Sequence, residues 1–219
     1  MHEGGGFQMT QVLEAMDAAG LKGPVLLDVP STQFVKTSLL LIKGLSQDRG
    51  LPGLFVSVDR PHQYMVHLLS VQRVKTENLR FLDVISRFAA DTKTASAKVG
   101  VADGPFHIDR LVSSFPALAN NGSSEQNAGS KYRYVIIDNL ASLLAFNNLS
   151  SVSVFIEALV HHSEENGGLL IPIILDSQKS AALYDAARAK CHEELRIRAV
   201  CEAAPAGSAP NTLGETKET

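Results

Sequence analysis

Lys36 and Thr37 stand where a phosphate-binding loop places the side chains that contact a nucleotide and its metal ion. The motif of such loops is G-x-x-x-x-G-K-[ST]: the glycines let the backbone wrap the phosphates, the lysine reaches them and the hydroxyl holds Mg²⁺. The eight residues from Pro30 to Thr37 read PSTQFVKT, so both chemical side chains are present and both glycines are replaced. This mixture predicts a nucleotide-binding fold whose nucleotide chemistry is weakened or lost.

The two replaced glycines change what the loop can bind. Pro30 has no N–H to donate, and Val35 is a β-branched residue directly before Lys36, where a glycine normally permits close backbone approach. Forcing a positive φ on such a residue costs roughly 1–3 kcal/mol. Each lost charge-assisted backbone contact removes roughly 1.5–3 kcal/mol more. We therefore expect phosphate affinity to be about two to four decades weaker than in an intact loop, because about 1.4 kcal/mol corresponds to tenfold.

Polar residues follow three other apolar runs. They are Asp59-Arg60 after LFVSV, Asp138-Asn139 after YVII, and Asp176-Ser177-Gln178 after LIPIIL. In doubly wound sheets ligands bind beyond the carboxyl ends of the strands, and an aspartate after the strand in this arrangement can hold Mg²⁺. A single aspartate at a strand end is more often a helix N-cap. Several such ends in order, with Lys-Thr at the first, favour an inherited nucleotide site.

Apolar runs and helical patterns alternate along the chain. Six runs predict strands, at Val25–Val29, Leu54–Val58, Phe81–Val84, Tyr134–Asp138, Leu169–Leu175 and Ile197–Glu202. Five segments predict helices, at Thr10–Ala19, Lys36–Gln47, Pro61–Arg73, Ser150–Glu164 and Ser180–Leu195. Near-continuous apolar strands that alternate with helices are typical of an α/β fold with a doubly wound, mainly parallel sheet and helices on both faces. We predict one domain over residues 10–203, disordered tails at 1–9 and 204–219, and a flexible loop at 120–130.

Composition excludes several classes of protein. The chain has 219 residues, is 45% hydrophobic and 20% charged, and carries a formal net charge of −3. This charge gives no overall footprint for nucleic acid or an anionic membrane. Two cysteines fit a reducing compartment, and no apolar stretch approaches the roughly 20 residues of a membrane span. We therefore expect a cytoplasmic protein without a membrane segment, and the scattered histidines give no spacing typical of a structural metal site.

Four blocks together resemble a known family. GPVLLDVP–KTSLLLIKGL, LPGLFVSVDRPHQYMVHLL, ENLRFLDVISR and YRYVIIDNLASLLAFNN occur in the order and spacing of the RecA/KaiC-like branch of P-loop ATPases. The resemblance covers about residues 10–203. The chain is most similar to divergent archaeal KaiC-like proteins with a degenerate P-loop (Walker A motif). The resemblance implies a RecA-like fold with ATP and Mg²⁺ as possible, weakly held ligands.

The resemblance also implies roles for particular residues. Asp138 corresponds to the Walker B aspartate, which with Thr37 would hold Mg²⁺, and Asp59 to the acid that polarises the attacking water. Active members usually carry glutamate there, often as a pair, whereas this chain has Asp59-Arg60. A polar sensor maps to Ser177 or Gln178. The residues expected to line a nucleotide are Ser31, Thr32, Gln33, Phe34, Val35, Lys36, Thr37 and Gln178.

We therefore predict a degenerate RecA/KaiC-like ATPase homologue that acts as a regulatory or assembly subunit, with weak or no ATP hydrolysis. One alternative is an active ATPase with an unorthodox loop. Another is a recombinase-type nucleic-acid-binding module, for which Lys190, Arg196 and Arg198 are the cluster to examine. The expected partner is another protein or a second copy of the chain. The apolar stretch Phe106–Leu118 would either contribute to that contact or pack over the sheet.

Overall fold

The computed structural model describes residues 13–14, 22–86, 98–120 and 132–197. The strands are β1 (Pro24–Asp28), β2 (Gly53–Ser57), β3 (Leu79–Asp83), β4 (Val99–Val101), β5 (Tyr134–Ile137), β6 (Ile171–Leu175) and β7 (Glu193–Arg196). The helices are α1 (Phe34–Ile42), α2 (His62–Val71), α3 (Leu111–Asn120), α4 (Leu149–Glu165) and α5 (Ala181–Arg188). Short 3₁₀ turns lie at Ser31–Gln33, Ile108–Arg110 and Leu140–Ala145, and α1 continues into a π-type segment at Lys43–Asp48.

These seven strands form one parallel sheet in the order β4-β3-β2-β5-β6-β1-β7. The strands predicted at Val25–Val29 and Tyr134–Asp138 correspond to β1 and β5, which both lie in the interior of the sheet. Apart from Asp28 at the end of β1, their residues are buried because helices cover both faces, and this explains their apolar sequences. The predicted α/β fold with a doubly wound parallel sheet is confirmed.

Two hydrophobic cores lie on opposite faces of the sheet. In β1, Val25 and Leu27 face one core and Leu26 faces the other, since successive side chains of a strand point to opposite faces. The first core is covered by α1 and α2, and the second by α3, α4 and α5. Because all these strands are parallel, their carboxyl ends lie along one side of the sheet, where predicted site residues such as Asp59 and Asp138 also lie.

The end of the chain differs from the prediction. The helix predicted at Ser180–Leu195 ends at Arg188, and Glu193–Arg196 forms β7 instead. Among the described strands it lies at the edge of the sheet and pairs with β1 alone, so its polar sequence does not read as a buried strand. Of the strand predicted at Ile197–Glu202, Ile197 directly follows β7, and residues 198–202 lie outside the described part. The predicted tails, residues 121–130 of the predicted loop and most of the helix predicted at Thr10–Ala19 also lie outside the described part.

Besides β7, the strand β4 and the helix α3 were not predicted. The apolar stretch that includes α3 packs against the sheet, with Ile108, Leu111, Val112 and Phe115 all buried, whereas Phe106 is 51% exposed. These four residues therefore pack over the sheet, one of the two outcomes expected for this stretch, and Phe106 is left exposed. Among the described helices, none has the length and apolar composition to cross a bilayer.

Candidate functional site

The loop after β1 has a different backbone shape from a phosphate-binding loop. Ser31–Gln33 forms a 3₁₀ turn that runs directly into α1, with the N–H of Gln33 donating to the carbonyl of Pro30 at 2.8 Å and that of Phe34 donating to the carbonyl of Ser31. A phosphate cradle uses successive N–H groups that converge on an anion in alternating right- and left-handed conformations. No residue of this loop has a positive φ. The strain expected at Val35 is absent, because Val35 lies in α1 with helical geometry.

The end of β1 and the end of β6 are joined by two carboxylates, which we call the crossed carboxylate pair, Asp28 and Asp176. Asp176 follows β6, and its Oδ2 accepts the N–H of Ser31 at 2.8 Å, in the loop after β1. Its Oδ1 accepts the N–H of Gln178 at 3.0 Å. Asp28 ends β1, and its two oxygens accept the N–H and the hydroxyl of Ser177, each at 3.0 Å, in the loop after β6. Each aspartate thus holds the loop that follows the other strand.

The side chains predicted to line a nucleotide are scattered rather than gathered. Lys36 is exposed, whereas Thr37 is only 2% exposed and lies in the buried part of α1. Phe34 is also buried, and it packs with the first core. The remaining predicted residues follow the same pattern, with Ser31, Thr32 and Gln178 exposed and Gln33 and Val35 half-buried.

Asp59 and Asp138 do meet, in a narrow crevice between α1 and the ends of β2 and β5. Phe34 and Val35 line the same crevice, whose volume is about 10 Å³, enough for roughly one water molecule. Lys36 and Thr37 are not among its lining residues. Ser38 does line the crevice, and the sequence analysis did not predict it. The available signal was its hydroxyl, one position after the predicted Thr37.

Asp138 is buried and accepts backbone hydrogen bonds from Val58 and Asn139. Its Oδ1 accepts the N–H of Val58 at 3.0 Å. Burial, reinforced by the negative charge of Asp59, raises the pKa of Asp138 to about 7, against the opposing effects of the Val58 N–H and of Arg60. The surroundings therefore favour the neutral form of this carboxyl group more than they would for an exposed aspartate, and Mg²⁺ binding would have to displace its proton.

Asp59 is restrained by two partners of its own. Its Oδ2 lies 3.1 Å from Nη2 of Arg60, and its Oδ1 accepts the hydroxyl of Ser142 at 2.8 Å. Arg60 also lies over the ring of Tyr64, 5.4 Å from its centroid. Both carboxylate oxygens of Asp59 are therefore already engaged by protein groups, and this disfavours the role of general base.

A fifth acidic residue at this edge, Asp83, was not predicted as part of the site. It ends β3, is completely buried, and accepts hydrogen bonds from His62 and Ser86. The aspartate in the run FLDV was the available signal, and the missing information was its contact with His62, which lies 21 residues earlier. Across the described residues no group of three or more His, Cys, Asp or Glu side chains could hold a metal ion.

No family model matches the chain, and no curated protein sequence does. Among solved structures, the chain is similar to a KaiC-like protein of the hyperthermophilic archaeon Pyrococcus horikoshii OT3, with a TM-score of 0.53 and 12% sequence identity. The match covers 81% of this chain and 72% of that chain. At this identity the similarity shows the fold alone. Together with the parallel sheet described above, it gives the chain a RecA/KaiC-like fold.

Proposed function

We propose that this protein is a degenerate member of the RecA/KaiC-like class that acts as a regulatory or assembly subunit, with weak or no ATP hydrolysis. The proposal rests on the loop after β1, whose backbone N–H groups already donate hydrogen bonds within the protein. The N–H groups of Ser31, Gln33 and Phe34 already donate to Asp176, Pro30 and Ser31, so these donors are not available to phosphate oxygens.

A Mg²⁺–nucleotide does not fit the residues as they are arranged. Ligand pockets generally offer about 300–1,000 Å³, whereas the crevice beside Asp138 offers about 10 Å³. The three side chains expected at the phosphates and the metal do not converge, because Lys36 is exposed, Thr37 is buried in α1 and Asp138 lies in the crevice without them. The residues as they are arranged therefore support no catalytic step on a nucleotide.

The electrostatics of this edge also favour the proposal. The aspartates at or just after strand ends in the described part of the chain include Asp28, Asp59, Asp83, Asp138 and Asp176. Each of them accepts hydrogen bonds from the protein itself. Carboxylates that accept hydrogen bonds from the protein stabilise its loops and have fewer oxygens left for a ligand. Their negative charges also oppose the approach of a polyphosphate.

A role in assembly requires a surface that a partner can cover. Phe106, Leu144 and Leu149 are exposed to 51%, 36% and 38%, and the ring of Phe106 lies against that of Phe146 with centroids 5.3 Å apart. The two loops that carry these residues are tied by the side chain of Asn147, which donates to the carbonyl of Pro105 at 2.7 Å. Clustered exposed apolar residues favour a protein contact, and we call this cluster the Phe106 patch.

Nucleic-acid binding receives no support from the late basic cluster. Nζ of Lys190 lies 2.5 Å from Oε1 of Glu157, and Arg196 pairs with Glu194. Arg198 lies outside the described residues. Basic side chains that are neutralised within the protein contribute little to phosphate binding.

The nucleotide part of the proposal is tested by titrating a fluorescent ATP analogue, with and without Mg²⁺, and by measuring phosphate release. We expect neither saturable binding at millimolar nucleotide nor turnover above background. The matched variants are Lys36→Ala and Asp138→Asn. A steady-state rate that disappears in both variants would contradict the proposal and would establish the alternative, an active ATPase with an unorthodox loop.

The assembly part is tested by light scattering over a wide protein concentration range, alone and with an active KaiC-like protein. We expect association that Phe106→Ser weakens by at least tenfold. Val154→Ser is the control, because Val154 is 55% exposed on α4 and lies outside the patch. A chain that stays monomeric and binds no homologue, or equal effects of the two substitutions, would count against the Phe106 patch.

A further inference from the structure

We propose that the crossed carboxylate pair is a latch: Asp28 and Asp176 hold the loop after β1 closed without nucleotide, and the Asp176 carboxylate takes the place of a bound anion. This latch rests on the proposed function, because it explains what keeps the loop after β1 closed when no nucleotide is bound. It concerns the chain's own residues, so its test does not depend on nucleotide chemistry.

The two aspartates are placed to act together. β1 and β6 are neighbours in the sheet, and Asp28 stands opposite Leu175, the residue before Asp176. Each carboxylate therefore lies within reach of the other strand's loop. The hydrogen bonds that Ser31 donates to Asp176 and Ser177 donates to Asp28 join residues that are 145 and 149 positions apart in the chain. Asp176 and Ser177 lie in the same loop after β6, so movement of that loop breaks both bonds across the strands, and this predicts cooperative opening.

Asp176 is held as an anion would be. One carboxylate receives two backbone N–H groups from different loops, at 2.8 Å from Ser31 and 3.0 Å from Gln178. Backbone N–H groups that converge on a negative charge are the usual means by which loops bind phosphate. Asp176 is only 7% exposed, so water competes weakly for these donors. The donors of an anion site are thus present but filled from inside the protein.

Space for an external anion exists beside the latch. A cavity of about 380 Å³ is lined by both carboxylates and by Gln178 and Arg196. In the wild-type chain the charges of Asp28 and Asp176 repel a phosphate from this cavity. Removal of the Asp176 charge would free two N–H donors next to a space that is large enough for a polyphosphate group.

The latch is tested by amide hydrogen exchange on the full chain without nucleotide. In the wild type we expect protection of the N–H groups of Ser31, Ser177 and Gln178. In Asp176→Ala and in Asp28→Ala we expect exchange at both Ser31 and Ser177 to accelerate by at least tenfold, because opening is cooperative. Asp109→Ala is the control, since its exposed carboxylate pairs only with Arg110 at 3.9 Å in the described contacts. Acceleration confined to each aspartate's own donors would overturn the latch.

The anion-mimic role is tested with inorganic tripolyphosphate, followed by the amide signals of Ser31 and Gln178. We expect Asp176→Ala to bind it at least tenfold more tightly than the wild type or Asp28→Ala, in which the internal carboxylate remains. Asp176→Asn keeps the shape and serves if the alanine variant does not fold; we expect it to gain affinity as well. A folded Asp176 variant with no gain would overturn this role. Binding of ATP by the wild type through Lys36 would overturn the proposed function instead, and the exchange result would still decide the latch.

Discussion

The ring Nδ1 of His62 lies 2.6 Å from Oδ2 of Asp83, and both side chains are almost completely buried. The same carboxylate accepts the backbone N–H of His62 at 2.7 Å and that of Ser86 at 2.7 Å. Burial acts to raise the pKa of Asp83, but the hydrogen bonds from His62 and Ser86 outweigh it and hold the pKa below its ordinary value. This contact fastens the end of β3 to the start of α2.

We expect Asp83→Asn to lower the free energy of unfolding by roughly 2–3 kcal/mol, because an amide cannot accept all the hydrogen bonds that the carboxylate accepts, and buried donors are left unsatisfied. Ser86→Ala removes one hydroxyl donor and should cost only about 1 kcal/mol. The folded pKa of Asp83 is lowered, so its stabilisation is present above the unfolded pKa of about 3.9 and is lost as pH falls through the folded pKa. Urea denaturation at pH 7 and pH 3 measures both effects. Equal losses in the two variants would contradict the assignment.

Asp138 should show the opposite pH dependence. Its folded pKa is raised from 3.8 to about 7, so between these values the folded chain binds a proton that the unfolded chain has released. Stability therefore falls as pH rises through this window. We expect Asp138→Asn to remove the decline and to be more stable than the wild type at pH 8, by on the order of 2 kcal/mol. Denaturation curves at pH 5 and pH 8 provide the measurement, with the exposed Asp109→Asn as control. A less stable variant at pH 8 would show that the ionised carboxylate is needed.

Gly53 should tolerate no side chain, since it faces the ring of Tyr134 across the β2–β5 pair. A Cβ atom at Gly53 would lie 2.0 Å from Cζ of Tyr134, whose side chain is completely buried. We expect Gly53→Ala to destabilise the fold by roughly 1–3 kcal/mol through overpacking. Thermal denaturation measures the loss. The double variant Gly53→Ala with Tyr134→Leu should recover part of it if the ring is the cause, and additive losses would exclude that cause.

Lys36 should be nearly neutral to substitution. Its side chain is exposed and does not line the crevice beside Asp138. We expect Lys36→Ala to change the free energy of unfolding by no more than about 0.5 kcal/mol. Nucleotide should also leave the melting temperature of wild type and variant equally unchanged. A nucleotide-dependent rise in the wild type that the variant lacks would give Lys36 the role of a phosphate ligand.

The sequence predicted the sheet well because burial leaves a local signature. β1 and β5 are covered on both faces, so they read as unbroken apolar runs. β7 has the sequence EELR, whose helix-forming residues continue the pattern of α5, and only its pairing with β1 makes it a strand.

The site was harder to predict than the sheet, because it depends, like β7, on contacts between residues that are distant in the chain. Aspartates at strand ends are visible in the sequence, and Asp59 and Asp138 do share a crevice. Their hydrogen-bond partners are not visible, because a bond such as that from Ser31 to Asp176 depends on the neighbouring positions of two strands that are distant in the chain. The identity of an acid can thus be read from the sequence, whereas its role depends on which donors the fold brings to it.

The carboxylate that receives the Ser31 N–H is part of the same chain, so it acts at an effective concentration that free anions in solution do not reach. A nucleotide bound reversibly is gained or lost as its supply changes, whereas a covalently attached group is always present. We therefore expect this edge of the sheet to keep one conformation whatever the energy charge of the cell. A subunit of this kind would supply a constant surface to partners whose own shape follows the nucleotide they carry.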